Sequence, residues 1–453
     1  MGCLRARLVC ALASCLLFAG CATWSDSFRD IERNLAEQRY DEALLALERQ
    51  GDAKSDQLLY LLNKGMVQRM AGDFRASNET LEAAKKRMEE LSALSLREQT
   101  TAFVINDGSR AYAGEEHEQV LVHLYEALNY IALGDLDNAR VEALQVDVTL
   151  RAQAERTKES RYTDDAFARY LTGMIFEDLG EWSDAMIAYR KSYEAYQKYQ
   201  KLYGATVPQS LKHDLLRLTG HLGLADEQRR YQKEFGIEQW TKLSDWREQG
   251  ELVLFLHNGL APLKRERSTA VLDPGSGHLI RISLPFYESR SSVSGAARIV
   301  AAEREARTEV FEDVQAISQR ALQDKMPAIT ARALARAVVK GVASKAARDA
   351  AHKKNGGDSL GAAFAGLAVE VAGVLTERAD TRSWATLPRD IQVARLALPP
   401  GTYRIKVELM GSGAQAVKSF ELQDIVVRPG RKTYLSRHWT ASYATSLASG
   451  TGR

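Results

Sequence analysis

This 453-residue chain is poor in cysteine and proline, is nearly balanced in charge, and has no long uncharged apolar run after its first twenty residues. Each scarcity excludes something. The four cysteines, Cys3, Cys10, Cys15 and Cys21, all fall at the start, so no disulfide can staple the rest and stability must come from packing. Of nine prolines, Pro208 is the sole one between about 30 and 236, which leaves that stretch open to long helices. Lys and Arg total 61 against 59 Asp and Glu, a balance that supplies no general electrostatic reason to bind nucleic acid. The best later candidate for a membrane span, Leu360 to Leu375, contains Glu370 and is shorter than the ~20 residues needed.

What is present starts with the amino terminus. Arg5 and Arg7 precede an apolar stretch that ends in Leu16-Leu17-Phe18-Ala19-Gly20-Cys21. This order resembles the lipobox of a bacterial lipoprotein signal peptide, with Phe18 where Leu is usual. The resemblance implies cleavage after residue 20, lipidation of the Cys21 thiol (palmitate among its acyl groups), and a mature protein anchored to a membrane. Arg5 and Arg7 are the only charged residues removed, leaving 59 basic and 59 acidic ones. Ala22 follows the cysteine where an acidic residue would mark inner-membrane retention. By resemblance to the bacterial sorting rule, this implies the periplasmic face of the outer membrane.

From about 30 to 236, apolar residues recur every three or four positions, the mark of amphipathic helices. A longer frame lies over that period. A small residue, a turn glycine seven later and an apolar residue two beyond it appear as Gly65…Gly72-Asp73-Phe74, Ala127…Gly134-Asp135-Leu136 and Gly173…Gly180-Glu181-Trp182. Ser77, Ala139 and Ala185 sit five past each glycine, and Leu81, Ala143 and Tyr189 four later again. The frame resembles the tetratricopeptide repeat, in which small residues let paired helices approach and glycine makes the turn. Arg39-Tyr40-Asp41-Glu42-Ala43 with Leu47 is similar to the second helix of an earlier copy, and Leu216…Gly223-Leu224-Ala225 to a degraded last one. The turn glycines lie 62 and 46 residues apart instead of 34, so long helices or insertions are expected. Tyr189, Tyr193, Tyr196, Tyr199 and Tyr203 share one helix face. They suit either core packing or an aromatic groove for a partner peptide, and Tyr189, Tyr193, Tyr196 and Tyr199 are the candidate partner-binding residues of that groove.

Beyond Trp246 the pattern turns to strands. Glu251 to Leu256 reads as buried, Leu279 to Leu284 as half-exposed, with Asp273-Pro274-Gly275-Ser276-Gly277 between them as turn chemistry. Ile391 to Leu398, Tyr403 to Leu409, Ser419 to Val427 and Lys432 to Trp439 follow, and the Pro399-Pro400-Gly401-Thr402-Tyr403 entry resembles that of small antiparallel sandwiches. Between these groups, residues 312–378 are alanine-rich and helical. Ile329, Leu334, Val338 and Val342 are expected to face inward, with Arg332, Arg336 and Lys340 on a basic outer face. Such a face suits anionic headgroups, an acidic partner or plain solvent. Arg382 and Trp384, at the junction of helix and strands, are expected to lock the insertion onto the sandwich or to recruit a partner.

Catalytic patterns fail on context. Gly357-Asp358-Ser359-Leu360-Gly361 fits a nucleophile elbow, but no strand precedes it, and Ser359 reads as a helix cap. The eight histidines show no ligand spacing, with His117 and His123 six apart and His213 and His221 eight apart, so no metal or other cofactor is expected. Taken together, the lipobox, the loose repeats and Pro399-Pro400-Gly401 resemble a family of tetratricopeptide-repeat-containing bacterial lipoproteins of unassigned biochemical role. That resemblance implies a cell-envelope protein and supplies no catalytic residues.

The expectation is therefore an α+β multidomain chain. Residues 1–20 would be the signal peptide, 21–29 a lipidated tether and 30–245 a tetratricopeptide-like helical domain. Residues 246–311 and 379–440 would form a β-sandwich-like domain, 312–378 its helical insertion and 441–453 a flexible tail. The expected role is a non-enzymatic periplasmic scaffold that binds envelope proteins or peptides and no nucleic acid, by analogy organising or activating peptidoglycan synthesis. The alternatives are an envelope hydrolase or a self-assembling structural component.

Overall fold

The computed structural model of the chain describes residues 28–50, 56–97, 112–156, 162, 164–272, 279–290, 295–354, 378–411 and 415–440. Cys21, Ser359, Leu360 to Leu375 and the tail 441–453 lie outside the described residues. Helical hairpins come first. They are α1 (Arg29–Ala36) with α2 (Tyr40–Gln50), α3 (Gln57–Ala71) with α4 (Phe74–Arg97), and α5 (Glu116–Ala132) with α6 (Leu136–Arg156). Then come α7 (Ala166–Leu179) with α8 (Trp182–Tyr203), and α9 (Gln209–His221) with α10 (Ala225–Phe235). A short α11 (Leu243–Glu248) leads into the strands.

The hairpins form where the glycine frame lies. Gly72, Gly134 and Gly180 hold φ of 89°, 76° and 80°, a left-handed turn that costs other residues ~1–2 kcal/mol. The small residue seven positions earlier sets the helix–helix distance. A Cβ on Gly173 would stand 2.4 Å from the Tyr189 ring, and one on Gly65 2.8 Å from Leu81. A large side chain on the second helix fills the volume that the first leaves open. In the middle frame both positions are alanines, Ala127 and Ala143, and both are buried.

Ten described strands follow. β1 (Gly250–Asn258), β6 (Glu309–Glu312), β7 (Asp390–Leu398) and β10 (Lys432–Trp439) form one sheet in the order β10-β1-β7-β6, with β1 and β10 parallel. β4 (Ala296–Ala301), β5 (Arg304–Arg307), β8 (Gly401–Met410) and β9 (Ala416–Val427) form a second, ordered β5-β4-β8-β9. Leu252, Leu254, Leu256 and Leu396 from the first sheet meet Ile299, Ile405, Val407 and Leu409 from the second in one apolar core, as in a sandwich. β2 (Leu263–Leu272) and β3 (Leu279–Glu288) make a separate hairpin against which α12 (Val314–Lys354) packs. β2 escapes a sequence reading because Lys264-Arg265-Glu266-Arg267 masks its alternation.

β1 is buried along its whole length because both its faces are covered. Leu252, Leu254 and Leu256 enter the sandwich core, while Val253 and Phe255 join the helical core with Ile391, Val393 and Phe311. The inner helices of the hairpins thus lie on the outer face of the first sheet. Of the two readings of the tyrosine face, core packing is the one that this arrangement accommodates, since the helices share their core with the chain's own sheet.

The expected faces of α12 fail at its middle, while Ile329 and Arg332 are both half-buried. Arg336 is buried, while Leu334 and Val338 are 47% and 63% exposed. The neighbouring Ala333 is buried too, so close packing on the small residues sets the rotation of the helix instead of its larger apolar ones. The side chains of Lys340 and Val342 lie outside the described ones.

Candidate functional site

Two places in the fold concentrate chemistry: the seam between helices and sheet, and a cleft at one end of it. In the seam, every inner helix presents polar groups to the sheet. From α9, Asp214 binds the Arg395 guanidinium of β7, which also donates two 2.8 Å bonds to Glu251 of β1 and one of 2.6 Å to the Tyr170 hydroxyl of α7. Glu177 of α7 accepts from Arg217 at 3.0 Å and lies 3.1 Å from the Lys432 ammonium of β10, with both side chains of the latter pair wholly buried. Burial opposes ionisation of Glu177, but Arg217 and Lys432 outweigh it and hold the carboxyl well below its usual range. Three buried carboxylates, Glu177, Asp214 and Glu251, therefore face the cations of Arg217 and Lys432, also buried, and of Arg395, whose side chain is 7% exposed. A buried group of this kind is tolerated only when the charges balance and hydrogen bonds complete it.

At the other end of α5 the balance is less complete. Glu115 takes Lys264 at 2.7 Å and Lys325 at 2.8 Å, and these cations outweigh burial and keep it well below the usual range. Among the described residues, Glu118 makes no ion pair. It accepts from the Trp384 backbone N–H at 2.7 Å and from the Tyr112 hydroxyl, and burial together with the Glu115 charge pushes it up to about 7.

The expected partner-binding residues fall mostly within this interior. Tyr189, Tyr196 and Tyr199 are buried, and Tyr193 is half-buried against Tyr231 and Phe235. Tyr189 donates to Glu177 at 2.9 Å and Tyr196 to the Phe311 carbonyl at 2.7 Å. Only the edges of Tyr196, Tyr199 and Tyr203 border a cleft of about 240 Å³ beside Phe311 and Ile317. The alternative of core packing accounts for them, with a physical reason: the face that the tyrosines would offer a peptide is taken up by packing on neighbouring helices and β6.

Trp384 is likewise buried, in edge contact with Tyr125 of α5 and donating its indole N–H to Thr386 at 3.0 Å. Arg382 pairs with Asp380 at 2.9 Å and lies over Tyr112. Both residues fasten the segment before β7 to the helical hairpins, which corrects the expected lock between insertion and sandwich.

The cleft opens where α2 to α4 meet β8, β9 and β10, with a volume of about 420 Å³. Tyr40, Phe74, Phe420 and Trp439 supply aromatic lining, and Lys418 and Arg437 supply exposed positive charge against one exposed carboxylate, Glu421. Arg69 forms its floor, buried and bound to Asn129 and to the Ser436 hydroxyl at 2.9 Å. His438 stacks on His257 with ring centres 4.2 Å apart, and burial, with the nearby Arg69 charge, pushes both imidazoles well below their usual range. Among the described residues, the Trp439 indole N–H, His438 Nε2 and Arg69 Nε have no hydrogen-bond partner. Sequence reasoning passed over Arg69, Arg395, His257 and His438. The available signal was a lone charged or imidazole residue inside an apolar strand or helix, as in Val393-Ala394-Arg395-Leu396.

The fold also brings His123 and Glu126 of α5 together with Glu142 of α6, all three side-chain atoms lying within 4.8 Å of one another.

No protein-family model and no curated protein matches this chain. Among solved structures, the helical part is similar to MamA at 13% identity, over 46% of this chain and 88% of that one, with a TM-score of 0.29. It is also similar to a tetratricopeptide repeat protein from Parabacteroides merdae at 14% identity, over 47% and 67%, with a TM-score of 0.29. Likenesses this slight carry no weight for function.

Proposed function

We propose that this protein is a non-enzymatic binding protein of the bacterial cell envelope, lipid-anchored through Cys21, that holds an acidic segment of a partner protein in the cleft beside Trp439. The observation that carries the reading is a cleft left open beside the shared core of helices and sheet. With the repeats engaged by the chain's own sheet, binding capacity moves to the cleft, where aromatic walls, two exposed cations and buried unsatisfied donors converge. Polar groups left without partners in a folded protein cost free energy that a ligand can recover. The lipobox supports the anchor. Phe28 is fully buried, so the seven residues from Cys21 can carry this end of the molecule no more than about 25 Å from the lipid headgroups. An outer-membrane, periplasmic position follows from Ala22 in the same reading, and organisation of peptidoglycan synthesis is the form it takes where the partner is a synthase.

The test uses detergent-solubilised full-length protein and fluorescein-labelled hexapeptides of Glu and Phe, read by fluorescence polarisation. Binding by the native protein, weakened at least tenfold in the Lys418→Glu/Arg437→Glu double variant and by added salt, is the expected result. Equal binding by the charge-reversed variant would overturn the cleft assignment. Recovery of the Cys21→Ser protein in the membrane fraction would overturn the anchor.

A further inference from the structure

The outer side of the repeats carries a second arrangement, built from one histidine and two glutamates. His123 and Glu126 stand three residues apart on α5, so their side chains project from the same face. Glu142 on α6 faces them, with His123 Nδ1 2.8 Å from Glu142 Oε2. The ammonium of Lys85, from α4, sits between the carboxylates, 2.7 Å from Glu126 Oε2 and 3.0 Å from Glu142 Oε1. We infer that His123, Glu126 and Glu142 form a binding site for a divalent transition-metal ion, occupied in its absence by the Lys85 ammonium.

Several independent observations support this. The three ligand atoms lie within 4.8 Å of one another, and the ligands of a tetrahedral zinc ion stand ~3.4 Å apart, so side-chain movements that shorten the longest separation by about 1.4 Å would close the set. Glu126 is buried, and its Oε2, although close to Lys85, accepts no hydrogen bond of good geometry. One ammonium, Lys85, is shared by Glu82, Glu126 and Glu142, and His123 reaches Glu142 but adds charge only when protonated. Lys85 also has somewhere to go, because Glu82, 2.7 Å away and half-exposed, can keep the ammonium at the surface when it leaves. A groove of about 350 Å³ lined by Lys85, Met88, His123 and Val148 reaches the histidine side of the set, with Glu126 and Glu142 behind it. One imidazole and two carboxylates suit zinc or manganese better than a soft-metal or an all-oxygen calcium site.

The test titrates zinc or manganese chloride into EDTA-stripped, detergent-solubilised full chain by calorimetry. Cobalt(II) absorption serves as the spectroscopic signature of a nitrogen-and-carboxylate site. One equivalent should bind, and His123→Ala and Glu142→Gln should each weaken binding tenfold or more and abolish the cobalt band. Lys85→Met should strengthen binding, since it removes the competing cation. Adventitious surface binding predicts no change in Lys85→Met. That outcome, no binding by the native protein, or an unchanged cobalt band in His123→Ala would each overturn the proposal. Thermal melts of all three variants separate lost binding from lost folding.

Discussion

The seam between α7, α9 and the first sheet and the cluster between α4, α5 and α6 use the same residue types in opposite ways. In the seam, Arg217, Arg395 and Lys432 match Glu177, Asp214 and Glu251 one for one, and all six side chains are at most 8% exposed. In the outer cluster, Lys85 meets three carboxylates, one of them half-exposed. There, burial and the Glu142 charge push Glu126 up to about 9, whereas His123 and Lys85 overcome burial and hold Glu142 down at about 2. A balanced buried network fixes how two layers sit and has no use for a further ion. An unbalanced one beside open solvent keeps a capacity for cations. The same chemistry thus serves docking in one place and leaves binding capacity in the other, according to charge count and exposure.

The largest expected effect lies in the seam. Arg395→Met leaves Asp214 and Glu251 buried with less compensation and should cost about 3–5 kcal/mol in urea unfolding. A loss below about 1 kcal/mol would mean that the seam behaves like a surface ion pair and would break the comparison.

Glu118 sharpens it, being a seam carboxyl that makes no ion pair among the described residues. Its folded pKa of about 7 exceeds the ordinary 4.5, so the folded state binds the proton more tightly. The contribution to stability is therefore complete below about pH 4.5 and is lost as pH rises through 7. Glu118→Gln should remove that slope, gaining on the order of 2 kcal/mol relative to the native protein between pH 5 and pH 8. Parallel pH profiles for the two proteins would show that Glu118 ionises normally.

The smallest effect belongs to the outer cluster. Lys85→Met should cost only about 1 kcal/mol, because the site borders solvent and its carboxyls can take up protons. A loss as large as that of Arg395→Met would place the two regions in one class.

Legibility in the sequence followed range. The turn glycines and small-residue frames coincide with hairpins because they act within about 16 residues, as Gly173 with Tyr189 and Gly65 with Leu81. The strands around Leu254 and Val407 stood out because each shows its own apolar pattern. The tyrosine stripe on α8 was visible, but its direction was not, since a helix face carries no mark of what covers it. On α12 the pattern misled, because a small-residue contact outweighed the larger side chains in setting its rotation.

The amino acids alone determined the elements: which stretches coil, where they turn, and how closely paired helices stand, all consequences of local volume and backbone freedom. Tertiary structure alone decided that the sheet shares a core with the helices, that Arg69 meets Ser436 from 367 positions away, and that His123 and Glu126 find Glu142. Such contacts depend on charge and shape brought together from distant parts of the chain, and no local pattern encodes the partner of a lone buried arginine or histidine.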